Sequence, residues 1–277
     1  MARSSKKIAS SISLDSLKKV TIMKQIRTIE VDGALLNVII EGQEEAQPVL
    51  LWHGAACTLK MWDHVISQLD RHFQFVRFDI RGVGASVASG IGNIQYTFYQ
   101  YARDAIGILD SLGIDQCHIW SMAWGSRAAL AFCSLYPERV KSAALFDASI
   151  GPADVEAQKL GHKQALQRQR EAGVTPYERP EGWNLHQNEA TMRQAMTAAT
   201  SFDLRAATEQ LRMPVLVATG DCDPNLTSSR DIVATIKDAR LETMKNVGHG
   251  SVLQRPDLAA RLFNDFQNSL TRARGLG

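Results

Sequence analysis

The chain has 277 residues, of which 45% are hydrophobic and 22% are charged, and its formal net charge is +2. A chain of this length can bury about three quarters of its unfolded surface, so we expect one main domain. The small net charge argues against a protein that binds the phosphates of a nucleic acid.

Residues 1–24 are basic and Ser-rich, and we interpret them as an N-terminal extension. No apolar stretch of the length that a secretory signal needs follows them. No run approaches the ~18 apolar residues of a membrane span, so we expect no membrane partner. The four cysteines lie far apart without a C-x-x-C pair, which favours free thiols, no metal site and a cytoplasmic protein. The sequence leaves open whether the protein forms a homo-oligomer.

Short apolar runs alternate with longer helical patterns over 25–150 and again over 206–277. The segment IRTIEVDGALLNVIIEG predicts an antiparallel hairpin that turns at Asp32-Gly33. Buried strands are predicted near 48–54, 73–80, 117–122, 141–148 and 213–220. This alternation predicts an α/β fold with a mostly parallel central sheet flanked by helices.

Residues 151–205 interrupt this alternation, because they are rich in Gln, Arg and Glu and contain no strand-like run. Met192, Ala195, Met196 and Ala199 follow the i, i+3, i+4, i+7 spacing of an amphipathic helix. Packing against the body of the protein is the favoured role for this stripe. We therefore predict a small helical cap over 151–205.

Five short motifs follow one another along the chain. They are HGAA (53–56), DIRGVGAS (79–86), IWSMAWGSRAAL (119–130) with YPERV (136–140) after it, GDCD (220–223) and NVGHG (246–250). Each motif is weak alone, but their order is specific. On these motifs the chain resembles the α/β-hydrolase superfamily over nearly its whole length, and residues 61–86 are especially similar to its esterase and enol-lactonase branch. The resemblance implies a catalytic triad, an oxyanion hole and no cofactor.

In this family the nucleophile lies on a sharp strand-to-helix turn of the form G-x-S-x-G, whose flanking positions must be small. A nucleophile at Ser121 would place the β-branched Ile119 at the first of these positions. A nucleophile at 123 places Ser121 and Gly125 there, and both are small. We therefore assign the nucleophile position to Ala123.

Alanine has no atom that can attack a carbonyl carbon. One interpretation is an inactivated variant of an enzyme with Ser at 123, and the retained base and acid favour it. Another is a non-catalytic or cofactor-free ligand-binding protein on the same scaffold. Trp124-Gly125-Ser126 also resembles haloalkane dehalogenases and epoxide hydrolases, which would require Asp at 123. HGAA lacks the asparagine that halide binding would need.

The resemblance assigns the general base to His249, whose imidazole can exchange a proton near neutral pH. The acid that orients the imidazole is Asp223, and Asp147 is the rival at the end of the preceding strand. The backbone N–H groups of Ala55 and Trp124 are expected to form the oxyanion hole.

These assignments predict a serine-type hydrolase of a small carboxylic ester or lactone. The cap should select the substrate. The candidate substrate-contacting side chains are Trp183, Tyr177, Met192 and Met196. DIRGVGAS lacks the G-x-G-x-x-G pattern of a dinucleotide site, so we expect it to form a structural turn.

Overall fold

A computed structural model describes residues 22–69, 72–88, 95–197 and 202–275. Residues 1–21 of the predicted extension lie outside these ranges, whereas residues 22–24 belong to the first strand. Ala199 of the predicted amphipathic stripe also lies outside them. Within the described ranges, no helix combines the length and the apolar character that crossing a bilayer requires.

Strands and helices alternate along most of the chain. The strands are β1 (Ile22–Val31), β2 (Ala34–Gln43), β3 (Gln47–Trp52), β4 (Phe73–Phe78), β5 (Val87–Ala88), β6 (Cys117–Met122), β7 (Val140–Phe146), β8 (Val215–Gly220) and β9 (Ala239–Met244). The helices are α1 (Asp63–Ile66), α2 (Phe98–Ser111), α3 (Trp124–Leu135), α4 (Val155–Glu171), α5 (Glu189–Thr197), α6 (Leu204–Gln210), α7 (Leu226–Thr235), α8 (Ser251–Gln254) and α9 (Pro256–Gly275). Short 3-10 turns cover Leu59–Trp62 and Pro137–Arg139.

All the described strands form one sheet. Its order is β1-β2-β4-β3-β6-β7-β8-β9, and β5 pairs with β2. β2 runs antiparallel to β1 and β4, and the neighbouring pairs from β4 to β9 are parallel. The hairpin between β1 and β2 turns at Asp32 (φ 45°) and Gly33 (φ 74°), as the sequence predicts. The predicted fold class is confirmed: the chain has a mostly parallel sheet flanked by helices.

The central strands are buried on both faces, which explains their nearly continuous apolar sequences. One core contains apolar residues of α2 and α3, and the other contains residues of α9. In the second core the rings of Trp120 and Phe263 stack with their centroids 4.1 Å apart. These two layers hold the parallel strands rigidly in register.

The motifs of the sequence fall where the parallel strands end. β3 ends at Trp52, β6 at Met122, β7 at Phe146, β8 at Gly220 and β9 at Met244. The loops that follow these strands carry Ala55, Ala123, Asp147, Asp223 and His249. Because the carboxyl ends of parallel strands share one edge of the sheet, the fold gathers these loops at one place.

The DIRGVGAS segment forms a braced turn beside this edge. Asp79 accepts hydrogen bonds from the backbone N–H groups of Leu59 (2.8 Å) and Ala85 (2.9 Å). The buried guanidinium of Arg81 forms an ion pair with Asp104 (2.6 Å). These bonds anchor the loops around the site to the body of the protein.

Helices α4 and α5 lie within the predicted cap, and α5 packs on the body. Met192 and Ala195 of α5 are buried in the first core. The Tyr101 hydroxyl donates to the Ala195 carbonyl oxygen (2.7 Å), and the Trp124 indole N–H donates to the Met196 carbonyl oxygen (3.1 Å). The stripe of α5 therefore faces the body, which is the role that its spacing favoured.

The turn between β6 and α3 is crowded against the end of β3. A β-carbon on Gly125 would lie 2.6 Å from the Trp52 carbonyl oxygen and closer still to that of His53. Both obstacles are backbone atoms of a buried strand end, so neither can move aside cheaply. This close approach explains why Gly is required at 125.

We expect Gly125→Ala to lower the free energy of unfolding by about 2 kcal/mol, because overpacking of a rigid site costs about 1–3 kcal/mol. Gly151→Ala is the matched control, since a β-carbon there meets no atom within 4 Å. Urea denaturation measures both variants. Equal stabilities would contradict the close packing of α3 on β3.

Candidate active site

Ala123 forms the sharp turn between β6 and α3. Its backbone angles are φ 55° and ψ −116°, which L-residues rarely adopt. Its N–H donates to the Phe146 carbonyl oxygen (2.8 Å), and its own carbonyl oxygen accepts from the Ser126 N–H (3.0 Å). The alternative residue, Ser121, lies fully buried inside β6 with its hydroxyl 3.0 Å from that of Ser126. The structure thus places Ala123, and not Ser121, at the turn.

Asp223 and His249 form a hydrogen-bonded pair. Asp223 Oδ2 lies 2.9 Å from His249 Nδ1. A carboxylate can only accept, so Nδ1 of His249 carries a proton in this bond, and in the neutral imidazole Nε2 keeps a free lone pair. The Asp223 side chain has no solvent exposure, and its Oδ1 accepts from the Asn225 N–H (2.9 Å). This arrangement fixes both the tautomer and the orientation of the imidazole.

The electrostatic surroundings of His249 favour its charged form. Burial alone would lower the pKa of His249, but the hydrogen bond to Asp223 and the charges of Asp147 and Asp223 raise it above the ordinary value. An imidazole in this environment is a stronger base than one in water. It is therefore suited to accept a proton from a neighbouring group.

The loop that carries His249 is held by Gln254 and by the cap helix α4. Gln254 accepts from the Gly248 N–H (3.2 Å) and donates to the His249 carbonyl oxygen (2.8 Å). A β-carbon on Gly248 would collide with the backbone of His162 in α4. The position of the imidazole thus depends on contacts from two sides of its loop.

Asp147 lies beside this pair but binds other groups. Its Oδ2 accepts from the backbone N–H groups of Gly250 (3.0 Å) and Ser251 (2.7 Å), directly after His249. Burial, followed by the charge of Asp223, raises the pKa of Asp147 to about 7. Of the two carboxylates that the sequence offers, Asp223 is the one that contacts the imidazole, and Asp147 fixes the loop behind it.

The ligand atoms of Asp147, Asp223 and His249 all lie within 4.8 Å of one another. This is the one group of described side chains whose spacing would suit a cation. Hydrogen bonds already explain why these side chains lie close together. His249 donates to Asp223, and Asp147 accepts from two backbone N–H groups. We assign no metal to it.

Ala55 and Trp124, to which the resemblance assigns the oxyanion hole, line the same cavity as Ala123. Trp124 is the first residue of α3, so its N–H has no carbonyl partner within the helix. Ala55 follows His53-Gly54, where burial lowers the pKa of the His53 imidazole and keeps it neutral. The Ile80 N–H donates to His53 Nε2 (3.0 Å), and the proton on Nδ1 is therefore directed at the Gly54 carbonyl oxygen (2.9 Å). This buried ring holds the loop that presents the Ala55 N–H.

A cavity of about 360 Å³ opens on these groups, which is within the usual range for small-molecule sites. Ala55, Ala123, Trp124 and His249 line it. Trp183 of the cap lines it as well, because the Thr58 N–H and hydroxyl bind the carbonyl oxygens of Trp183 (2.7 Å) and Gly182 (2.8 Å).

The other predicted substrate contacts lie elsewhere. Tyr177 is 41% exposed and lies outside the cavity lining. Met192 is buried in the first core, and Met196 packs against that core. Of the four predicted cap residues, the structure brings only Trp183 to the cavity.

Two other side chains in the cavity wall carry nucleophilic atoms. Burial raises the pKa of the Cys57 thiol to about 12, so the thiol stays protonated at neutral pH. The Ser149 hydroxyl donates to the Gly151 carbonyl oxygen (3.3 Å) within its own loop. Neither group lies on the strand-to-helix turn that Ala123 occupies.

Sequence reasoning missed two arginines of the cavity wall, Arg127 and Arg179. Arg127 is the fourth residue of α3, which begins at Trp124, directly after the turn at Ala123. Its closeness to this turn along the chain is a signal which the sequence contained. Arg179 lies in a segment without periodicity, so no comparable signal was available for it.

Comparisons with known proteins agree with this fold. Residues 47–180 match a family described as alpha/beta hydrolase fold. The enol-lactonase of Burkholderia xenovorans LB400 superimposes with a TM-score of 0.72 at 21% identity, covering 88% of this chain and 100% of that one. The chain therefore has the α/β-hydrolase fold.

Relatives by sequence are distant or partial. An uncharacterized carboxylesterase of Bacillus subtilis (strain 168) is 33% identical over 109 residues, which are 39% of this chain and 36% of that protein. The match thus spans about a third of the relative's length. A Variovorax paradoxus (strain S110) protein named as a candidate carbamate hydrolase, RutD, is 26% identical over 83% of this chain and 95% of its own length.

We expect Ala123→Gly to leave the free energy of unfolding within about 1 kcal/mol of the parent value. A non-glycine residue with such backbone angles costs about 1–3 kcal/mol, and relief of this strain offsets about 0.8 kcal/mol for the lost methyl group and about 0.5–1 kcal/mol for the backbone entropy of glycine. Ala129→Gly in the middle of α3 is the control, because it removes a methyl group from relaxed helical backbone and should lower the stability by about 2 kcal/mol. Urea unfolding compares the two variants, and equal losses in both would contradict strain at 123.

We also expect Asp147→Asn to become more stable than the parent as the pH rises. The pKa of Asp147 is raised from 3.8 to about 7, so between these values the folded parent binds a proton that the unfolded chain has released. This difference lowers the parent's stability by roughly 1 kcal/mol per pH unit over the window. Asparagine cannot ionise, and its amide oxygen can still accept from Gly250 and Ser251.

Denaturation curves at several pH values from about 5 to 8 measure this effect. The stability difference between Asp147→Asn and the parent should grow up to about pH 7 and then level off. A difference that stays constant over the whole range would show that the buried carboxyl does not titrate there.

Proposed function

We propose that this chain is a serine-type hydrolase of carboxylic esters or lactones in which Ala123 stands at the position of the attacking serine. In this form it would bind its substrate without forming an acyl-enzyme. The observation that carries the proposal is the Asp223–His249 pair, hydrogen-bonded at 2.9 Å and facing the same cavity as the Ala123 turn.

The chemistry follows from the roles of these groups when position 123 carries a hydroxyl. His249 Nε2 takes the proton from the serine as its oxygen attacks the carbonyl carbon, and Asp223 stabilises the imidazolium. The carbonyl oxygen gains a negative charge, which the N–H groups of Ala55 and Trp124 can stabilise by about 3 kcal/mol each. The imidazolium then protonates the leaving alkoxide, and water activated by His249 releases the acid.

The cavity supports a small ester or lactone as the substrate. Apolar side chains, among them Met122, Trp183 and Leu253, form much of its wall, and its volume is about 360 Å³. The similarity of the fold to an enol-lactonase and the partial match to a carboxylesterase support the same substrate class.

The test is Ala123→Ser, assayed with a short-chain p-nitrophenyl ester and a panel of small lactones. We expect a burst of p-nitrophenol close to one equivalent per chain and a turnover rate at least about 10³-fold above the parent, because loss of a catalytic serine costs this much or more. Rapid-mixing kinetics measure the burst, and mass spectrometry detects the acylated serine.

Two controls make this experiment specific. Ala129→Ser introduces a hydroxyl in α3, the helix that follows the turn, and should give no burst. His249→Ala combined with Ala123→Ser should abolish the gain, since the serine would lose its base.

If the turnover rate of Ala123→Ser does not exceed that of the parent while ligand binding is intact, a ligand-binding protein on this scaffold is favoured instead. An Ala123→Asp variant that opens epoxides or releases halide would favour an aspartate nucleophile.

A further inference from the structure

The cavity contains two guanidinium groups that the proposed chemistry does not use. Arg127 of α3 and Arg179 of the cap both line it. We propose that the substrate carries a carboxylate, which these two arginines bind while its ester or lactone carbonyl lies over Ala123. This inference rests on the proposed function, because it takes the same cavity as the substrate site.

Arg127 is a charged group without a charged partner. Its Nε is buried and has no hydrogen-bond partner among the described residues. No carboxylate within those residues forms an ion pair with it. Burial lowers the pKa of Arg127, so the surrounding protein does not compensate for its charge. A partly buried guanidinium of this kind is stabilised when an anion binds beside it.

Arg179, in the predicted cap segment, brings a second positive charge to the cavity wall. Its guanidinium carbon lies 4.4 Å from the centre of the Trp183 ring, a distance typical of a cation–π contact. Its charge also acts on the interior: the pKa of His162, another cavity residue, is lowered by burial and further by Arg179. In the described part of the chain Arg179 forms no ion pair either.

The described cavity wall contains no acidic side chain to neutralise these two charges. Asp223 has no side-chain exposure and is engaged by His249 and Asn225, and Asp147 is fully buried behind the same loop. The wall is thus mostly apolar and carries positive charge at two points. A planar carboxylate suits this wall, because a guanidinium fork can bind both of its oxygens.

The position of Arg127 limits the length of such a substrate. Arg127 lies in the first turn of α3, and Ala123 directly precedes this helix. A carboxylate bound at Arg127 can be separated from a carbonyl over Ala123 by only a few bonds, because the cavity that both residues line is only about 360 Å³ in volume. The substrate class is therefore a short ester or lactone with a free carboxylate, such as a half-ester of a dicarboxylic acid.

The experiment uses the full chain with Ala123 in place, which should retain an intact ester. The probes are monomethyl glutarate, which is an anion at neutral pH, and the uncharged dimethyl glutarate. Titration followed by the fluorescence of the cavity residues Trp124 and Trp183, and by calorimetry, gives both dissociation constants. We expect the monoester to bind at least about tenfold more tightly, as hydrogen bonds to a charged group allow. Added salt should weaken the binding of the monoester and leave the binding of the diester unchanged.

Variants assign the preference to the two arginines. Arg127→Gln and Arg179→Gln should each remove most of the preference for the monoester over the diester, and urea denaturation of both variants reports on folding. Arg127→Lys should retain part of the preference for the monoester that Arg127→Gln loses. Arg170→Gln is the matched control, because it removes the same charge from an exposed position of α4 outside the cavity.

Three results would each overturn the proposal. The parent could bind the two esters with equal affinity, or neither ester could bind at millimolar concentration. The preference for the monoester could also survive both Gln substitutions. The outcome is separable from that of the proposed function. If Ala123→Ser gives a burst but shows no preference for an anionic ester, the proposed hydrolase function is supported and this inference is wrong. If the chain prefers an anionic ester but Ala123→Ser gives no burst, the carboxylate site is supported in a ligand-binding protein.

Discussion

The crowded turn at Ala123 is the constraint on which the site depends. The chain must leave the buried strand β6 and start α3 within one residue, and it does so with φ 55° and ψ −116°. Gly125 permits this turn because α3 passes directly over the carbonyl oxygens of Trp52 and His53. Ala123, Trp124 and His249 line one cavity. The backbone at 123 thus adopts angles that an alanine rarely takes, in the wall of that cavity.

Beside this turn, two buried carboxyl groups support an imidazole that lines the cavity. Asp147 holds the loop after His249 through two backbone N–H groups. Asp223 orients the imidazole, and of these three side chains only His249 lines the cavity. Arg127 and Arg179 add positive charge to the cavity wall. The separation of carboxylates behind the imidazole from guanidiniums beside the cavity would favour a substrate that is itself anionic at one end.

Much of the fold could be predicted from local signals. Asp32-Gly33 marks a tight hairpin turn, and the apolar runs that became β3, β6, β7 and β8 mark strands buried on both faces. Because parallel strands end at one edge, the residues that follow them could be expected to meet there. The small side chains at 121 and 125 indicated which residue occupies the turn.

Other features depend on tertiary contacts that no local pattern encodes. The spacing of Met192 and Met196 predicts a helical face but not the surface that it covers, and that surface is the body of the protein. Trp183 reaches the cavity only because Thr58 binds its segment of the cap. Asp147 and Asp223 both follow strands, so the choice between them depended on two loops whose separation the sequence does not give.

A crystal structure of this chain soaked with a short carboxylate-bearing ester tests the central claim most directly. We expect an intact ester whose carbonyl carbon lies over the Ala123 methyl group, with the carbonyl oxygen toward the N–H groups of Ala55 and Trp124. An ester bound with its carbonyl away from Ala123, or His249 Nε2 directed away from that carbonyl, would contradict it.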